Sequence, residues 1–521
     1  MMSTLRSSFS ARQVRCFSAI LEKTCVLNPP EHHTIEDNWS MAKPYESIPG
    51  PSAFNMIRSF MPGGRFSSLQ FSEVSRALSA EYGPIFKIKG AFGRKDVIVV
   101  VDPKDFETVF RTEGSFPRRN GFECLTYYRK HYRKNLYAAS LGLMSEQGQG
   151  WYDLRHQVNG VMMKPQSARR YISVIDEVSS DFVKKLHDLR DLNLETPGNF
   201  FFHLNIWALE SIAHITMNMR LGLLNETNRD KNIDQLMANT KTFLQLLNEL
   251  DIRPSVWKLY STRKFKQFVQ VNDEIHDVLE KLVEKGLKNL KENTDKRAKS
   301  SQEKCVLERL SEINRDVAII MAFDSLLGGV DTTSSAVFNL LYNLATNQAK
   351  QDILREELLK ILPEKDTPLT KENMSNMPYL RACVKEALRV TPVTIGNIRS
   401  TGRNIVLQGY QIPKETDILM HTQVVHLDEK YYSDSKSFHP ERWLRSEDKR
   451  ENYNPFTFLP FGFGSRICVG RRFAELEIEC LVARMVRKYH LEWNHPPPKI
   501  RFMAINMPHG DLKLRLRETL A

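Results

Sequence analysis

The sequence predicts a mainly α-helical domain with a small β region, and three observations support this fold class. Amphipathic helical patterns cover most of residues 170–290, and two further long helical segments follow at 313–346 and 471–488. The clearest β-branched runs form one early pair of strands, 86–89 and 97–101, joined by a turn that contains glycine. No repeat or long linker divides the main body of the 521-residue chain, so we expect one large domain.

The N-terminal segment has a composition of its own. Its first 21 residues contain three arginines, five serines and no acidic residue. This is typical of a mitochondrial transit peptide, and a disordered basic tail is the alternative. Pro49-Gly50-Pro51 is a rigid break, so the folded domain is expected over 45–521, after a linker at 22–44.

Overall composition limits the environment and the partners. A hydrophobic content of 41% suffices for a large core, and no apolar run reaches the length of a membrane-spanning helix. Seven cysteines without paired spacing indicate reduced thiols in an intracellular compartment. The net charge of +12 suits an acidic protein or an anionic membrane. Nucleic acid is not an expected partner, because no binding module is recognisable.

The clearest chemical signal is the segment Phe461-Gly-Phe-Gly-Ser-Arg-Ile-Cys-Val-Gly470, directly before a helix. The helix N-terminus should lower the pKa of Cys468 and make its thiolate a better metal ligand. Gly464 and Gly470 allow close approach of a flat group, and Arg466 offers a fork of donors to an anionic edge. Haem with Cys468 as its axial ligand fits these features, whereas the alternative is an inert buried cysteine.

The spacing of Phe461, Gly464, Arg466, Cys468 and Gly470 resembles the haem-ligand signature of the cytochrome P450 superfamily. The resemblance covers 45–521 and implies the cytochrome P450 fold, haem b as cofactor and monooxygenase activity. Such an enzyme inserts one oxygen atom of O2 into a lipophilic substrate, here xenobiotic or steroid-like. The chain looks most like the insect mitochondrial members, family 12.

Three further residues are expected to bind the cofactor. Trp151 and Arg155 are four residues apart, so on a helix their indole N–H and guanidinium can reach one anion. In the family this pair holds a haem propionate. Arg399 falls where the family has a second propionate-binding arginine. Val393 and Ile395, just before it, are expected to line the substrate pocket.

The helical segment 313–346 contains Gly328-Gly-Val-Asp-Thr-Thr333 in its middle. Each glycine costs about 1 kcal/mol relative to alanine, so helix stability alone does not explain the pair. A helix that passes over the haem does explain it, because missing side chains leave room for a diatomic ligand. The Thr332 hydroxyl can then bond to the Gly328 carbonyl. The resemblance implies that Thr332 donates a hydrogen bond during oxygen activation and that Asp331 relays protons from solvent.

A second group of residues is predicted to be structural. Glu386 and Arg389 are three apart on one helix face. The family pattern adds Arg442 and makes the three a buried triad behind the haem. Residues 285–304, which are polar and rich in lysine, are predicted to form an exposed loop.

Basic residues are predicted to form the partner surface. Arg381 and Lys385 share one side of a helix, and Arg471 and Arg472 follow the ligand loop. The resemblance implies docking of an acidic iron–sulfur ferredoxin that an NADPH-dependent reductase reduces; a solvated basic face is the alternative. The chain lacks a Gly-x-Gly-x-x-Gly nucleotide fingerprint, so it needs a redox partner.

Membrane contact is expected to be peripheral, at the matrix side of the mitochondrial inner membrane. Residues 252–272 combine basic and aromatic side chains without acidic ones, which predicts an interfacial segment or an ordinary solvated face. Two other functions remain open: a haem-thiolate isomerase or peroxide-using enzyme, and a non-catalytic haem carrier or sensor. The Asp331–Thr332 pair favours the monooxygenase.

Overall fold

The computed structural model describes residues 39–225, 230–292, 304–444 and 454–519. The predicted transit peptide lies outside the described residues, as does most of the predicted linker. The described chain is mainly α-helical with a small β region, as predicted from the sequence. The early strand pair, the long apolar helix and the helix after the ligand loop all form close to their predicted positions.

The helices are numbered in chain order. They are α1 (Ala53–Phe60), α2 (Phe71–Tyr82), α3 (Pro103–Thr112), α4 (Glu123–His131), α5 (Gly142–Ser145), α6 (Gly148–Met162), α7 (Pro165–Arg169), α8 (Ile172–Leu189) and α9 (Phe200–Met217). They continue with α10 (Lys231–Leu247), α11 (Arg263–Glu292), α12 (Val306–Ser311), α13 (Arg315–Thr346), α14 (Gln348–Ile361), α15 (Lys371–Ser375), α16 (Pro378–Val390), α17 (Thr422–His426) and α18 (Arg471–Lys488). A π-helical turn, Asn248–Ile252, extends α10.

The strands form one four-stranded sheet and three pairs. They are β1 (Ile85–Ile88), β2 (Val97–Val100), β3 (Asn397–Ser400), β4 (Ile405–Leu407), β5 (Tyr410–Ile412), β6 (Asp417–Met420), β7 (Tyr489–Glu492), β8 (Lys499–Met503), β9 (Ile505–His509) and β10 (Arg515–Glu518). The sheet order is β1-β2-β6-β3, with β2 and β6 parallel and the other neighbours antiparallel. Val97 of β2 pairs with Asp417 of β6, so distant parts of the sequence meet there.

Helix α13 is the central helix of the core. Its N-terminus is capped by the Asn314 side chain, which accepts from the backbone N–H groups of Asp316 and Val317 at 3.0 and 3.1 Å. Helices α9, α12, α16 and α18 all pack against it. Within the described residues it is the one helix long and apolar enough to cross a membrane, and most of its apolar window is buried. Its apolar composition therefore reflects its place in the core.

Helix α18 is held against α8 by a buried ion pair. Arg484 donates from Nε and Nη2 to the two carboxylate oxygens of Asp176, each at 2.6 Å. A bidentate pair of this kind fixes direction as well as distance, so α18 and the loop before it have a defined position.

Two sequence-based expectations need correction. The stretch predicted as an exposed loop from residue 285 is helical as far as Glu292, at the end of α11; residues 293–303 lie outside the described residues. Its lysines are compatible with a helix because they lie on an exposed face. In the segment predicted to be interfacial, Trp257, Phe265 and Phe268 are buried in the core instead. Leu259 and Tyr260 are the large apolar side chains that it exposes.

Candidate active site

A cavity of about 720 Å³ lies between α13 and the loop that precedes α18. Apolar side chains such as Ile212, Met321, Val393, Ile395 and Ile505 form much of its wall. Val393 and Ile395 therefore line the pocket, as the sequence predicted. The volume is in the range of pockets that enclose a small organic molecule.

Cys468 borders this cavity. Its side chain is accessible from the cavity, although the thiol lies deep inside the protein. The Cys468 N–H donates to the carbonyl of Phe461 at 2.9 Å, which folds the loop back on itself. Gly464 has φ of +74°, and a Cβ there would lie 2.6 Å from the Glu113 carboxylate, so the loop needs glycine at this position.

The electrostatic environment of Cys468 differs from the sequence-based expectation. Backbone N–H groups of Gly470 and Arg471 favour the thiolate, as do the positive charges of Arg155 and Arg119. Burial outweighs these effects and raises the pKa of the free thiol above its ordinary value. The backbone N–H groups at the helix N-terminus therefore do favour the thiolate, as expected. The prediction of a lowered pKa is nevertheless wrong, because burial has the larger effect.

Four arginines border the same cavity near Cys468. They are Arg119, Arg155, Arg399 and Arg466. Arg399 pairs with Glu113, with 2.7 Å between Nε and Oε2. Burial lowers the pKa of Arg119 and Arg155 to about 10 each, and burial together with the neighbouring arginines lowers that of Arg466 to about 9. The lowered pKa values indicate a cluster of positive charges. The carboxylate of Glu113 compensates only part of that charge.

Trp151 and Arg155 lie on α6, as the sequence predicted, and both are buried. The Trp151 ring stacks under the Arg466 guanidinium, with 4.2 Å between Cζ and the ring centroid. The structure thus brings all five predicted cofactor-binding residues to one cavity: Trp151, Arg155, Arg399, Arg466 and Cys468.

The glycine pair of α13 faces the cavity from another side. A Cβ on Gly328 would meet no atom within 4 Å, whereas one on Gly329 would rest against Ile212 at 3.4 Å. The Thr332 hydroxyl donates to the Gly328 carbonyl at 2.8 Å, as predicted, and Thr332 borders the cavity. The missing side chain at Gly328 therefore leaves open space next to a hydroxyl.

Asp331 does not border the cavity. Its side chain is buried between helices, where Asn205 of α9 donates from Nδ2 to Oδ1 at 3.0 Å. Burial raises the pKa of Asp331 to about 6. Thr332 and Asp331 are adjacent in sequence but present their side chains to different surroundings, so any proton transfer between them has to pass along the helix edge.

The predicted structural triad forms around Glu386. Arg389 donates from Nε and Nη2 to the two carboxylate oxygens at 2.9 and 2.7 Å, and Arg442 donates from Nε at 3.0 Å. Two donors that the sequence analysis missed also reach the carboxylate: the His439 N–H at 2.9 Å and Trp443 Nε1 at 2.8 Å. Glu386 and Arg389 are fully buried.

The predicted docking residues lie on two neighbouring helices, α16 and α18. Lys385 is exposed, whereas Arg381 is partly buried and lies 3.9 Å from Glu479. Arg471 and Arg472 share Glu475, at 2.8 and 3.5 Å. The structure thus brings these cations to adjacent helices but neutralises part of their charge.

Among the cavity residues that sequence reasoning missed, Arg119 and Glu477 are two buried titratable groups. Arg119 belongs to a run of two arginines, and its neighbour Arg118 instead forms an exposed ion pair with Glu415 at 3.1 Å. Nothing in the local sequence distinguishes the two. Glu477 is buried on α18, borders the cavity, and has a carboxylate oxygen without a hydrogen-bond partner. Burial raises its pKa to about 8. In the sequence, Glu477 falls on the helix face that otherwise carries apolar side chains, and this pattern could have indicated a buried acid.

A cysteine thiol, a group of partly uncompensated guanidiniums and a glycine-containing helix thus border one apolar cavity. This arrangement defines a protein that binds a flat, anionic metal macrocycle through sulfur. Residues 49–515 match the family model for cytochrome P450, and the chain belongs to this family of haem-thiolate monooxygenases.

Its relatives include insect proteins of family 12. It is 41% identical over 492 residues to "Probable cytochrome P450 12b2, mitochondrial" of Drosophila melanogaster, covering 92% of this chain and 91% of the relative. It is 36% identical over 535 residues to "Cytochrome P450 CYP12A2" of Musca domestica, covering 99% of each. It is 39% identical over 485 residues to "Cytochrome P450 12b1, mitochondrial" of Drosophila acanthoptera, covering 91% and 90%.

The residues present fit a haem-thiolate cofactor. Of the four arginines that border the cavity near Cys468, three have a buried guanidinium nitrogen without a hydrogen-bond partner: Arg119 Nε, Arg155 Nε and Arg466 Nη1. Buried donors without acceptors are rare and costly, so these positions call for an anionic ligand. The two carboxylates of a haem would supply such acceptors, and the cavity keeps open space beside Gly328.

Proposed function

We propose that this chain is a mitochondrial monooxygenase that carries haem b and hydroxylates lipophilic xenobiotic or steroid-like substrates. Two electrons come from NADPH through a ferredoxin reductase and a ferredoxin; one oxygen atom of O2 enters the substrate and the other leaves as water. The observation that carries the proposal is the Cys468 thiol on an apolar cavity beside guanidiniums that lack acceptors.

In this proposal the sulfur of Cys468 would bind the haem. Arg119, Arg155, Arg399 and Arg466 would hold its carboxylates, and the Trp151 ring packs against the Arg466 guanidinium. Haem supplies oxygen activation when bound, and electron donation from a cysteine thiolate favours O–O cleavage.

The residues of α13 would control protons and access. The Thr332 hydroxyl, which donates to the Gly328 carbonyl, can turn its donor to a ligand in the space beside Gly328. Burial raises the pKa of Asp331 to about 6, close enough to neutral pH for its carboxyl to take up a proton from solvent and release it toward Thr332. The apolar wall around Val393 and Ile395 binds the substrate and excludes water.

Names of relatives and features of the surface support the proposed location. Several relatives are named mitochondrial, and the N-terminal composition is that of a transit peptide. Exposed Phe54 and Met61 at α1, with Leu259 and Tyr260, support peripheral contact with the matrix side of the inner membrane. Both segments adjoin the cavity, so the membrane would lie near its mouth.

The electron donor is proposed to be an acidic ferredoxin. Its docking surface would consist of Arg381, Lys385, Arg471 and Arg472 on α16 and α18. The net charge of +12 favours association with an acidic protein through long-range attraction.

Reconstitution tests this function. The purified holoprotein, reduced and exposed to carbon monoxide, should show the red-shifted absorption of thiolate ligation. With ferredoxin, reductase and NADPH it should consume O2 in step with hydroxylated product from a xenobiotic or steroid panel. Product formed only with peroxide, or an isomerised product without O2 consumption, would instead identify the peroxide-using or isomerase alternative. Haem binding without any turnover would identify a carrier.

A further inference from the structure

The cavity opens through a mouth lined by cations. We define this cationic mouth by Lys89, Arg94, Lys95, Arg253 and Lys258. The first three belong to the connection between β1 and β2, and the last two follow the π-helical turn. All are exposed except Arg94, which is half-buried.

The carboxylates near the mouth are already engaged. Glu123 forms an ion pair with Lys258. Asp251 accepts from the Cys124 N–H at 3.0 Å and from its Sγ at 3.1 Å. Arg94 donates to the Leu250 carbonyl and so ties the β1–β2 connection to the π-helical turn.

Three more carboxylates lie nearby, and each has other partners. Asp96, next to Lys95, accepts from the Gly90 N–H at 2.8 Å. Asp417 is buried and accepts from Asn120 Nδ2 at 2.9 Å and from the Ser400 hydroxyl. Glu249, which is near Arg253, pairs with Lys264 at 2.8 Å. Among the described residues, Lys89, Lys95 and Arg253 consequently have no carboxylate within ion-pair distance.

The wall behind the mouth is apolar. Met56, Ile57 and Phe60 of α1, with Phe71 and Phe502, line the cavity. Ile212, Ile395 and Ile505 line it as well, as does Cys468. A substrate that fills the cavity thus meets hydrocarbon along its length and unpaired positive charge at its outer end.

We propose that the cationic mouth is a subsite for the anionic head of an amphipathic substrate, whose apolar body extends toward Cys468. The substrate class is a free lipophilic anion such as a long-chain carboxylate, sulfate or phosphate monoester. This inference rests on the proposed function, because it narrows the substrates of the same cavity. A lipophilic amine would meet like charge there, and a neutral lipid would gain nothing from the cations.

Binding measurements test the proposal without turnover. Dodecanoic acid, methyl dodecanoate and dodecyltrimethylammonium are titrated into the detergent-free holoprotein, and binding is followed by the change in haem absorption. The acid should bind roughly tenfold tighter than the quaternary ammonium at low ionic strength, and the latter has no lone pair with which to coordinate the iron. Raising the salt concentration from about 0.05 to 0.3 M should weaken binding of the acid, because exposed charges are screened. The affinity for the ester should not change.

A charge-matched pair of variants locates the effect. Lys89→Ala with Lys95→Ala should weaken acid binding by on the order of tenfold, since each exposed pair contributes about two- to fivefold. Ester binding should stay unchanged and serves as a check that the variant is folded. Lys104→Ala with Lys414→Ala removes two exposed lysines that do not line the cavity, and it should bind the acid as the parent does.

Equal affinity for acid and ester, or equal acid affinity in the parent and the mouth variant, overturns the inference. An additional arm uses vesicles of neutral lipid with and without anionic phospholipid. If the mouth variant loses vesicle binding while its affinity for free acid is unchanged, the cations contact lipid headgroups and the inference is wrong. Failure of turnover with ferredoxin would contradict the proposed function alone, because these titrations require no electrons.

Discussion

The guanidinium of Arg466 lies over the indole of Trp151, with 4.2 Å between Cζ and the ring centroid. The same guanidinium donates to the Pro117 carbonyl at 2.6 Å and the Glu146 carbonyl at 3.0 Å. One side chain thus fastens the loop that carries Cys468 to α6 and to the chain before it. The position of the thiol depends on this connection.

Replacing Arg466 by alanine should therefore loosen the ligand loop. The change leaves two buried carbonyls without donors and should lower the free energy of unfolding by about 3 kcal/mol. Haem content per chain should fall as well. Denaturant unfolding and the ratio of haem to protein measure both effects. Arg403→Ala, at an exposed position, is the control, and an equal loss there would contradict this role of Arg466.

Glu386→Gln should be the most damaging single change to the scaffold. The glutamine cannot compensate two buried arginines, Arg389 and Arg442, so about 3–5 kcal/mol of stability should be lost. Soluble yield and the denaturation midpoint report the loss. Glu356→Gln on α14 removes an exposed carboxylate and should leave both unchanged. A folded Glu386→Gln protein of parental stability would show that the arginines find other acceptors.

Thr332→Ala should separate oxygen consumption from product formation. The change removes the hydroxyl that donates to the Gly328 carbonyl, and product per O2 consumed should fall on the order of tenfold or more. An oxygen electrode and product quantification give this ratio. Thr332→Ser keeps the donor and should stay near the parent. Thr333→Ala tests whether loss of the neighbouring hydroxyl has the same effect, which would argue against a specific role for Thr332.

The pH dependence of stability should identify two buried acids. Burial raises the pKa of Glu477 from 4.5 to about 8 and that of Asp331 from 3.8 to about 6. The folded state therefore holds each proton more tightly than the unfolded chain. Stability is lost as pH rises between each pair of values, by at most about 1.4 kcal/mol per pH unit.

Replacing each acid by its amide should remove this pH-dependent loss of stability, and the two replacements should act over different pH ranges. Relative to the parent, Glu477→Gln should gain stability up to pH 8, and Asp331→Asn only up to pH 6. Denaturation midpoints of the holoprotein at pH 5, 6, 7 and 8 distinguish them. A Glu477→Gln gain that stops at pH 6 would show that the carboxyl is less isolated than its surroundings indicate.

Charge reversal on α16 should slow electron transfer. Lys385→Glu places a negative charge on the proposed ferredoxin surface, so reduction by ferredoxin should slow about tenfold at low salt and less at high salt. Stopped-flow reduction measures the rate. Lys360→Glu on α14 makes the same charge change at another exposed position. If both variants slow equally, overall charge rather than a docking site determines the rate.

Much of the candidate site could be predicted because its signals are local. Cys468 and its glycines form one short segment, Trp151 and Arg155 share one helix turn, and Thr332 reaches Gly328 within one turn. The cost of two glycines in α13 also pointed to space beside it, which the structure has at Gly328. These relationships depend on sequence spacing, and helix geometry converts spacing into proximity.

Other features could not be read from the sequence because they depend on the balance of several distant contacts. The pKa of the free Cys468 thiol is raised, since burial by the whole fold exceeds the local effect of the helix N-terminus. Trp257 was expected at an interface, but it stacks on Phe265 at 4.9 Å inside the core. The composition of the surrounding segment does not distinguish an interfacial tryptophan from a buried one.

The sequence by itself determined the fold class, the cysteine that borders the cavity, the helix on another side of that cavity and the triad around Glu386. Tertiary structure decided that Arg119 rather than Arg118 joins the cofactor cavity, and that Asp331 faces away from it. It also decided that the cations of the β1–β2 connection meet those after the π-helical turn at one mouth. The physical reason is that spacing along one element fixes a direction, whereas burial and charge pairing arise only when distant elements pack together.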